Sequence, residues 1–424
     1  MLVNPFTPSE VASNPEDFFG RDSELSTLES SLAIGSVAIQ GAIGIGKSSL
    51  LARSRLSMEG FNSQHRAKSI IAVGDKDITT ADDAARLILE SLVTIDEKER
   101  KIVFKIGSFF ESGSSELCRN FVEGRHLSVL KKVVEQEYLN STLTNGEFLI
   151  LALDEADKCA VPLTRGIRAV VTHTQQQGVK RLRFLVAGVS PFFQDMVTED
   201  PGISRFFYKT VNLEPMSEEE AVDLVETKLA HVCKEARKVK LPVKVGPDIV
   251  SRVVKLSGGH PHLLQLLGSH LIEHENEDPD NVIDARDLYN SLQRICYEDR
   301  ARVYESILHE VELHGKLGAL TELLFTLAPK NLPTLIDRER AAKAIDKEAL
   351  TWLVDRNILS MTQNGEYGLV DEFLRIRMRF DLEQTESERS SLERHMISTS
   401  DLSDEIDNRF SADAYLTDAP DEDL

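Results

Sequence analysis

The chain has 424 residues, 41% of them hydrophobic and 28% charged, with a formal net charge of −21. That length exceeds one ordinary domain, fits two or three, and allows a sizeable core. The acidic balance argues against strong non-specific nucleic-acid binding, and no stretch approaches the roughly 20 apolar residues of a membrane span.

The charge is unevenly placed. Residues 381–424 carry fourteen Asp/Glu against three Arg, a net of −11, which leaves −10 on the first 380. This end, rich in Ser, Asp and Glu, is expected to be a disordered acidic tail. Met1-Leu-Val-Asn-Pro-Phe-Thr-Pro8 has neither the basic start nor the apolar run of a secretory signal. Cys118, Cys159, Cys233 and Cys296 are far apart and form no CxxC pair, a pattern that suits reduced thiols in a cytoplasm.

In chain order, residues 1–17 read as an arm, extended to about Asn14. Residues 16–32 have Leu25, Leu28 and Leu32 at helical spacing after the loop-like Phe18-Phe19-Gly20-Arg21. A short strand is expected at 36–40, a helix at 47–56, a strand at 69–73 and a helix at 80–93. Residues 101–106 alternate like a strand and 107–115 look like a turn, which suggests a hairpin insertion. A helix follows at 126–139. Residues 147–154 form a near-continuous apolar run of the kind found in a doubly covered parallel sheet. A helix at 163–177 and strands at 183–187 and 209–213 complete the pattern. Strands alternating with helices predict an α/β fold over residues 18–214.

After Glu214-Pro215 only helices are expected, at 217–234, 246–257, 261–274 and 285–312. Further helices follow, then two strands at 358–362 and 366–370 around Asn364-Gly365, a hairpin signal. This order suggests a helical lid at 215–300 and a winged helix at 301–380.

Gly41-Ala-Ile-Gly44-Ile45-Gly46-Lys47-Ser48 satisfies G-x-x-x-x-G-K-[ST], followed by Ser49. Its glycines let main-chain N–H groups wrap phosphate oxygens, and the helix start adds partial positive charge. Lys47 would neutralise the β and γ phosphates, and the Ser48 hydroxyl would ligate Mg²⁺. Asp154 and Glu155 end the apolar run at 148–153, and ligands of open parallel sheets bind beyond strand carboxyl ends. Asp154 there could hold Mg²⁺ through its water shell, and Glu155 could polarise an attacking water. Read alone, such a pair also arises where charged residues simply end a buried strand.

With both motifs in hand, the chain resembles AAA+ ATPases, in the branch of archaeal-type STAND ATPases and origin-recognition-like proteins. The resemblance implies a three-layer P-loop NTPase domain that binds ATP with Mg²⁺, a helical lid and a C-terminal winged helix. Asn4-Pro-Phe6 and Phe18-Phe19-Gly20-Arg21-Asp22-Ser23-Glu24 are similar to family boxes, which implies that Phe19, Gly20 and Arg21 lie near the adenine. Ser190 occupies the place of a polar γ-phosphate sensor, and Arg205 that of an arginine directed at a neighbouring subunit's nucleotide. Gly259-His260-Pro261-His262 resembles the lid's G-x-P box, with a histidine facing the nucleotide where many relatives use an arginine.

The residues alone leave other readings open: Ser190 as a helix cap, Arg205 as a partner of Glu199, the histidines as helix-start residues. Arg375, Arg377 and Arg379 alternate as a stripe that either touches phosphate or is simply solvated. The expected function is an ATP-driven switch of slow turnover that acts through a protein partner or self-assembly, without a membrane. The alternatives are a DNA-associated loader, which the net charge disfavours, and a scaffold that holds ATP uncleaved.

Overall fold

The computed structural model describes residues 1–60, 66–96, 101–104, 115–135, 139–140, 143–277, 279–328, 333–362 and 364–393. Two compact units form, one from Val11–Glu214 and one from Met1–Glu10 with Pro215–Leu424.

In the first unit β1 (Ser36–Gly41), β2 (Ala67–Val73), β5 (Phe148–Asp154), β6 (Leu182–Val189) and β7 (Phe207–Leu213) make one parallel sheet, while β3 (Val93–Asp96) and β4 (Lys101–Phe104) pair separately. The sheet order is β2-β5-β6-β1-β7, so β6 lies between β1 and β5. Strand side chains alternate between faces. Accordingly Leu149, Leu151 and Leu153 of β5 enter a core shared with helices Ala81–Leu92 and Ala160–Gln176. Ile150 and Ala152 enter another, shared with helices Asp22–Ile34 and Lys47–Glu59. Ala38 divides from Val37 and Ile39 in the same way. The unit is therefore the expected α/β sandwich of three layers.

Two local readings change. The helix expected from residue 16 begins at Asp22, because Gly20 has φ 62° and only a 3₁₀ turn, Pro15–Asp17, precedes it. The hairpin exists, but the partner of β4 is β3 on its N-terminal side, with Val93 opposite Phe104. Val93, Thr94 and Ile95 are β-branched, which takes them out of the preceding helix. Most of the turn expected at 107–115 lies outside the described residues, and Ser115 opens the helix Ser115–Val122.

The second unit holds helices Glu218–Lys238, Ile249–Ser257, Pro261–Glu277 and Ala285–Arg294. The helix expected over 285–312 is interrupted at Arg300 (φ −111°, ψ 8°), after which Ala301–Leu313 follows. Where only helices were expected, β8 (Lys244–Val245) pairs in parallel with β9 (Val282–Ile283). Farther on, β11 (Leu359–Met361) and β12 (Tyr367–Leu369) pair antiparallel about Gly365, at φ 81°, and β10 (Leu335–Ile336) joins β12. Helices Arg338–Ala344 and Lys347–Asp355 lie between β10 and β11. Of the expected arm, Met1–Glu10 packs within this unit and the rest belongs to the first. Phe6 is buried over Gly268, where a Cβ would come within 2.3 Å of its ring.

Helix Glu372–Glu393 runs into the stretch expected as a disordered tail, and residues 394–424 lie outside the described residues. It also removes the arginine stripe. Alternate positions on a helix face nearly opposite ways. Arg375 is fully buried, donating to Thr334 Oγ1 at 3.0 Å and to the Ala328 carbonyl. Arg377 donates to the Cys296 carbonyl at 2.8 Å and pairs with Asp381. None of the described helices is long and apolar enough to cross a membrane.

Candidate functional site

The glycine-rich turn follows β1, as the motif requires. Gly44 (φ 76°) and Gly46 (φ 101°) adopt left-handed backbone that L side chains rarely take. A Cβ at Gly41 would sit 2.8 Å from the Leu213 carbonyl and 2.9 Å from Ile45 Cγ2, so β1, β7 and the turn need a glycine there. Ile45 is buried and pins the turn to the core. Helix Lys47–Glu59 then begins with no acidic residue in its first turn, which leaves its N-terminal N–H groups open to an anion.

Lys47 donates from Nζ to the carbonyls of Gly41 (3.0 Å) and Ala42 (2.7 Å), folded back on its own turn. Burial holds its pKa below the usual lysine value, opposed by the charges of Asp157, Asp154 and Glu155. Asp154 ends β5, and Glu155 and Asp157 follow it at the same edge of the sheet. Ser48 is partly buried beside it, and the Ser49 hydroxyl accepts the Ala12 N–H at 3.1 Å.

Asp154 is buried at the end of β5 and accepts the N–H of Glu155 at 2.9 Å. Glu155 has φ 51° and ψ 36°, a left-handed conformation that costs a non-glycine residue about 1 kcal/mol or more. Gly74 permits this turn, since a Cβ there would be 2.4 Å from the Glu155 carbonyl oxygen. The Glu155 carboxylate is paired with Lys158. Ser190 is exposed just past β6. It does not cap helix Phe192–Glu199. Since Gly41 stands opposite Val189, Ser190 leaves the sheet next to Ala42.

Asp157 went unnoticed in the sequence. Its Oδ1 accepts the Val189 N–H at 2.9 Å and ties the turn after β5 to the end of β6. The signal was available as a third acid in Asp154-Glu-Ala-Asp157.

Arg21 is buried and donates to Glu24 (2.7 Å), to the Ile45 carbonyl (3.4 Å) and to the Glu214 carbonyl, so its guanidinium braces the turn. Phe19 and Gly20 precede it, both partly exposed. Arg205 is exposed and lines a 310 Å³ cavity with Ser36 and Leu182, at the amino edge of the sheet. The turn of residues 41–48 is at the carboxyl edge, about 17 Å away along β1 at roughly 3.3 Å per residue. Glu199, its expected partner, is paired with Arg165 at 2.7 Å.

Pro261 and His262 belong to the second unit. Pro261 opens its helix, and His262 Nδ1 is 3.1 Å from the Pro8 carbonyl oxygen. Burial first and the Arg300 charge second hold the His262 ring below its ordinary pKa.

No family model matches the sequence, and no curated protein matches it. Among solved structures, the chain is similar to the Walker-type ATPase PABY2304 of Pyrococcus abyssi, with a TM-score of 0.52 and 17% identity. That match covers 88% of this chain and 99% of the other. The likeness is one of fold. Weaker likenesses, at TM-scores of 0.48 and 0.43, join it to the Aeropyrum pernix ORC1 protein in complex with DNA and the Thermotoga maritima RuvB branch migration motor. The first is 17% identical over 90% of this chain and 96% of that one, the second 12% over 84% and 95%. Together the parallel sheet and the turn after β1 give the P-loop NTPase architecture expected from the AAA+ resemblance.

Proposed function

We propose that this chain binds ATP with Mg²⁺ at residues 41–48, hydrolyses it slowly and uses the nucleotide state as a conformational switch. The observation that carries the reading is the cradle itself. Left-handed Gly44 and Gly46, an acid-free helix start and a half-buried Lys47 converge beyond the carboxyl end of β1. Each favours a polyanion for its own reason.

In this reading Lys47 leaves the Gly41 and Ala42 carbonyls for the β and γ phosphates. Ser48 and Asp154 would hold Mg²⁺, which supplies charge neutralisation on the transferring phosphoryl group. Glu155, released from Lys158, orients water, and Ser190 next to Ala42 senses the γ-phosphate. Arg205 cannot reach its own chain's turn from the opposite edge of the sheet, which supports a role toward a second copy. Pro261 and His262 are the proposed lid contacts, and Phe19, Gly20 and Arg21 the adenine border.

The order helix, β10, two helices, β11 and β12 supports a winged-helix module in the second unit. Helix Lys347–Asp355 would be its recognition helix, and it exposes Glu348 and Asp355 beside Lys347 and Thr351. Those carboxylates disfavour a phosphate backbone, so a protein partner or a second copy is the better reading than duplex DNA.

The test is calorimetric titration of ATP, with and without Mg²⁺, into wild type and Lys47→Ala. The reading expects Mg²⁺-dependent binding that weakens about 10- to 100-fold in the variant, as for loss of a charged hydrogen bond. Equal affinity in the two proteins would overturn it.

A further inference from the structure

The turn at residues 258–262 leads into Pro261 and His262, and its conformation is fixed from two sides. Gly258 (φ 61°) and Gly259 (φ 71°) are both left-handed. On one side the Gly259 carbonyl accepts the Met216 N–H at 2.9 Å, and a Cβ on Gly259 would sit 2.4 Å from the Met216 oxygen. On the other side a Cβ on Gly258 would sit 3.0 Å from both Glu372 Cγ and Pro333 Cβ.

Glu372 is a strong anchor. It is 3% exposed, accepts the Thr334 N–H at 2.6 Å and lies 2.9 Å from the Thr334 hydroxyl, which also takes a bond from Arg375. Withdrawing it would leave a buried carboxyl and a buried N–H without partners, a costly state. Its neighbour Asp371 makes a second tie. Asp371 is ion-paired with Arg300 at 2.8 Å and accepts the Tyr304 hydroxyl at 3.1 Å and the Phe373 N–H at 3.0 Å. Arg300 in turn bears on the His262 ring. Two adjacent carboxylates thus join the glycine turn, the break between helices at Arg300 and the approach to β10 to the start of one long helix.

We infer that the turn at residues 258–262 and helix Glu372–Glu393 move as one body, making the helix the lever that carries the nucleotide state to a partner. This rests on the proposed reading that Pro261 and His262 respond to nucleotide. The helix has 22 residues, about 33 Å at 1.5 Å per residue. A rotation of about 10° at Glu372 therefore swings the far end by about 6 Å. Close-packed contacts transmit such a step because they shift between discrete arrangements.

Hydrogen exchange on the full-length protein tests it, with no nucleotide, with Mg²⁺ and ATP, and with Mg²⁺ and ADP. Wild type is expected to change protection together at residues 41–50, 258–264 and 372–382. In Gly258→Ala, which forces a Cβ against Glu372, protection of 41–50 persists while the response at 372–382 falls at least fivefold. A wild-type change at 41–50 or 258–264 without one at 372–382, or a full helix response in Gly258→Ala, overturns the inference. Should nucleotide leave 41–50 unprotected in wild type, the binding reading fails, and Glu372→Gln without nucleotide then decides the coupling. Faster exchange at both 258–264 and 372–382 upholds it; faster exchange at the helix alone overturns it. If either variant fails to fold, the wild-type comparison stands by itself.

Discussion

The Asp157 carboxylate receives the main-chain N–H of Val189 at 2.9 Å, and the same carboxylate is the leading charge acting on Lys47. Replacing it therefore has two separable effects. Asp157→Ala should lower stability by about 1–2 kcal/mol through the unpaired Val189 N–H, read by urea denaturation. Asp157→Asn should also shift the Lys47 pKa farther down. The alkaline fall in ATP affinity would then start at lower pH than in wild type, measurable by calorimetry across pH 7 to 10.

Glu155 is held by Lys158 in an exposed ion pair. Glu155→Gln should retain ATP binding and lose hydrolysis by about 10²- to 10⁴-fold, the range for a general base. Lys158→Ala should leave the melting temperature unchanged and raise single-turnover hydrolysis by freeing the carboxylate. Unaltered hydrolysis in Glu155→Gln would exclude Glu155 as the base, whereas no hydrolysis in wild type would leave a scaffold that holds ATP uncleaved.

Arg205 and the phosphate turn occupy opposite edges of one sheet. Wild-type turnover per molecule should therefore rise with protein concentration, while Arg205→Ala should remain at a low, concentration-independent rate. An arginine supplied by a neighbour contributes about 10³- to 10⁵-fold in related chemistry. Sizing with ATP, with ADP and without nucleotide should show whether assembly follows the same residue. A monomer under every condition, with ordinary turnover, would dismiss the neighbour's role.

Burial lifts Glu372 from 4.5 to about 7, against the Thr334 bonds that pull it down. The unfolded chain releases this proton above 4.5, whereas the folded protein keeps it to about 7. Its stabilising contribution is thus complete below pH 4.5 and declines as pH rises to 7, by on the order of 3 kcal/mol. Denaturation midpoints of wild type and Glu372→Gln, compared between pH 4.5 and 7, should show a steeper decline for wild type. Parallel curves would mean the carboxyl ionises without hindrance.

Residues whose chemistry is local were readable in advance. The turn from Gly41 to Ser48 was legible because its glycines and its lysine serve one short loop, and the β5 run because burial on both faces demands unbroken apolar character. What sequence could not supply depends on distant partners. Arg21 reads as a family-box residue near the adenine, and its bonds to the Ile45 and Glu214 carbonyls join positions far along the chain. Arg375, Arg377 and Arg379 alternate like a strand stripe, yet they sit on a helix whose Arg375 is committed to Thr334. The β3 strand was hidden because Val93 continues the apolar spacing of a real helix.

The interposition of β6 has a consequence for how the two strand ends divide their work. Adjacent strands are about 4.8 Å apart, so the axes of β1 and β5 are separated by roughly 10 Å. In the proposed reading the end of β6 therefore stands between the carboxylates that follow β5 and the turn that follows β1. The proposed division of labour follows from that spacing: the turn would grip the phosphates, and the β5 carboxylates would act across the β6 end on water and metal.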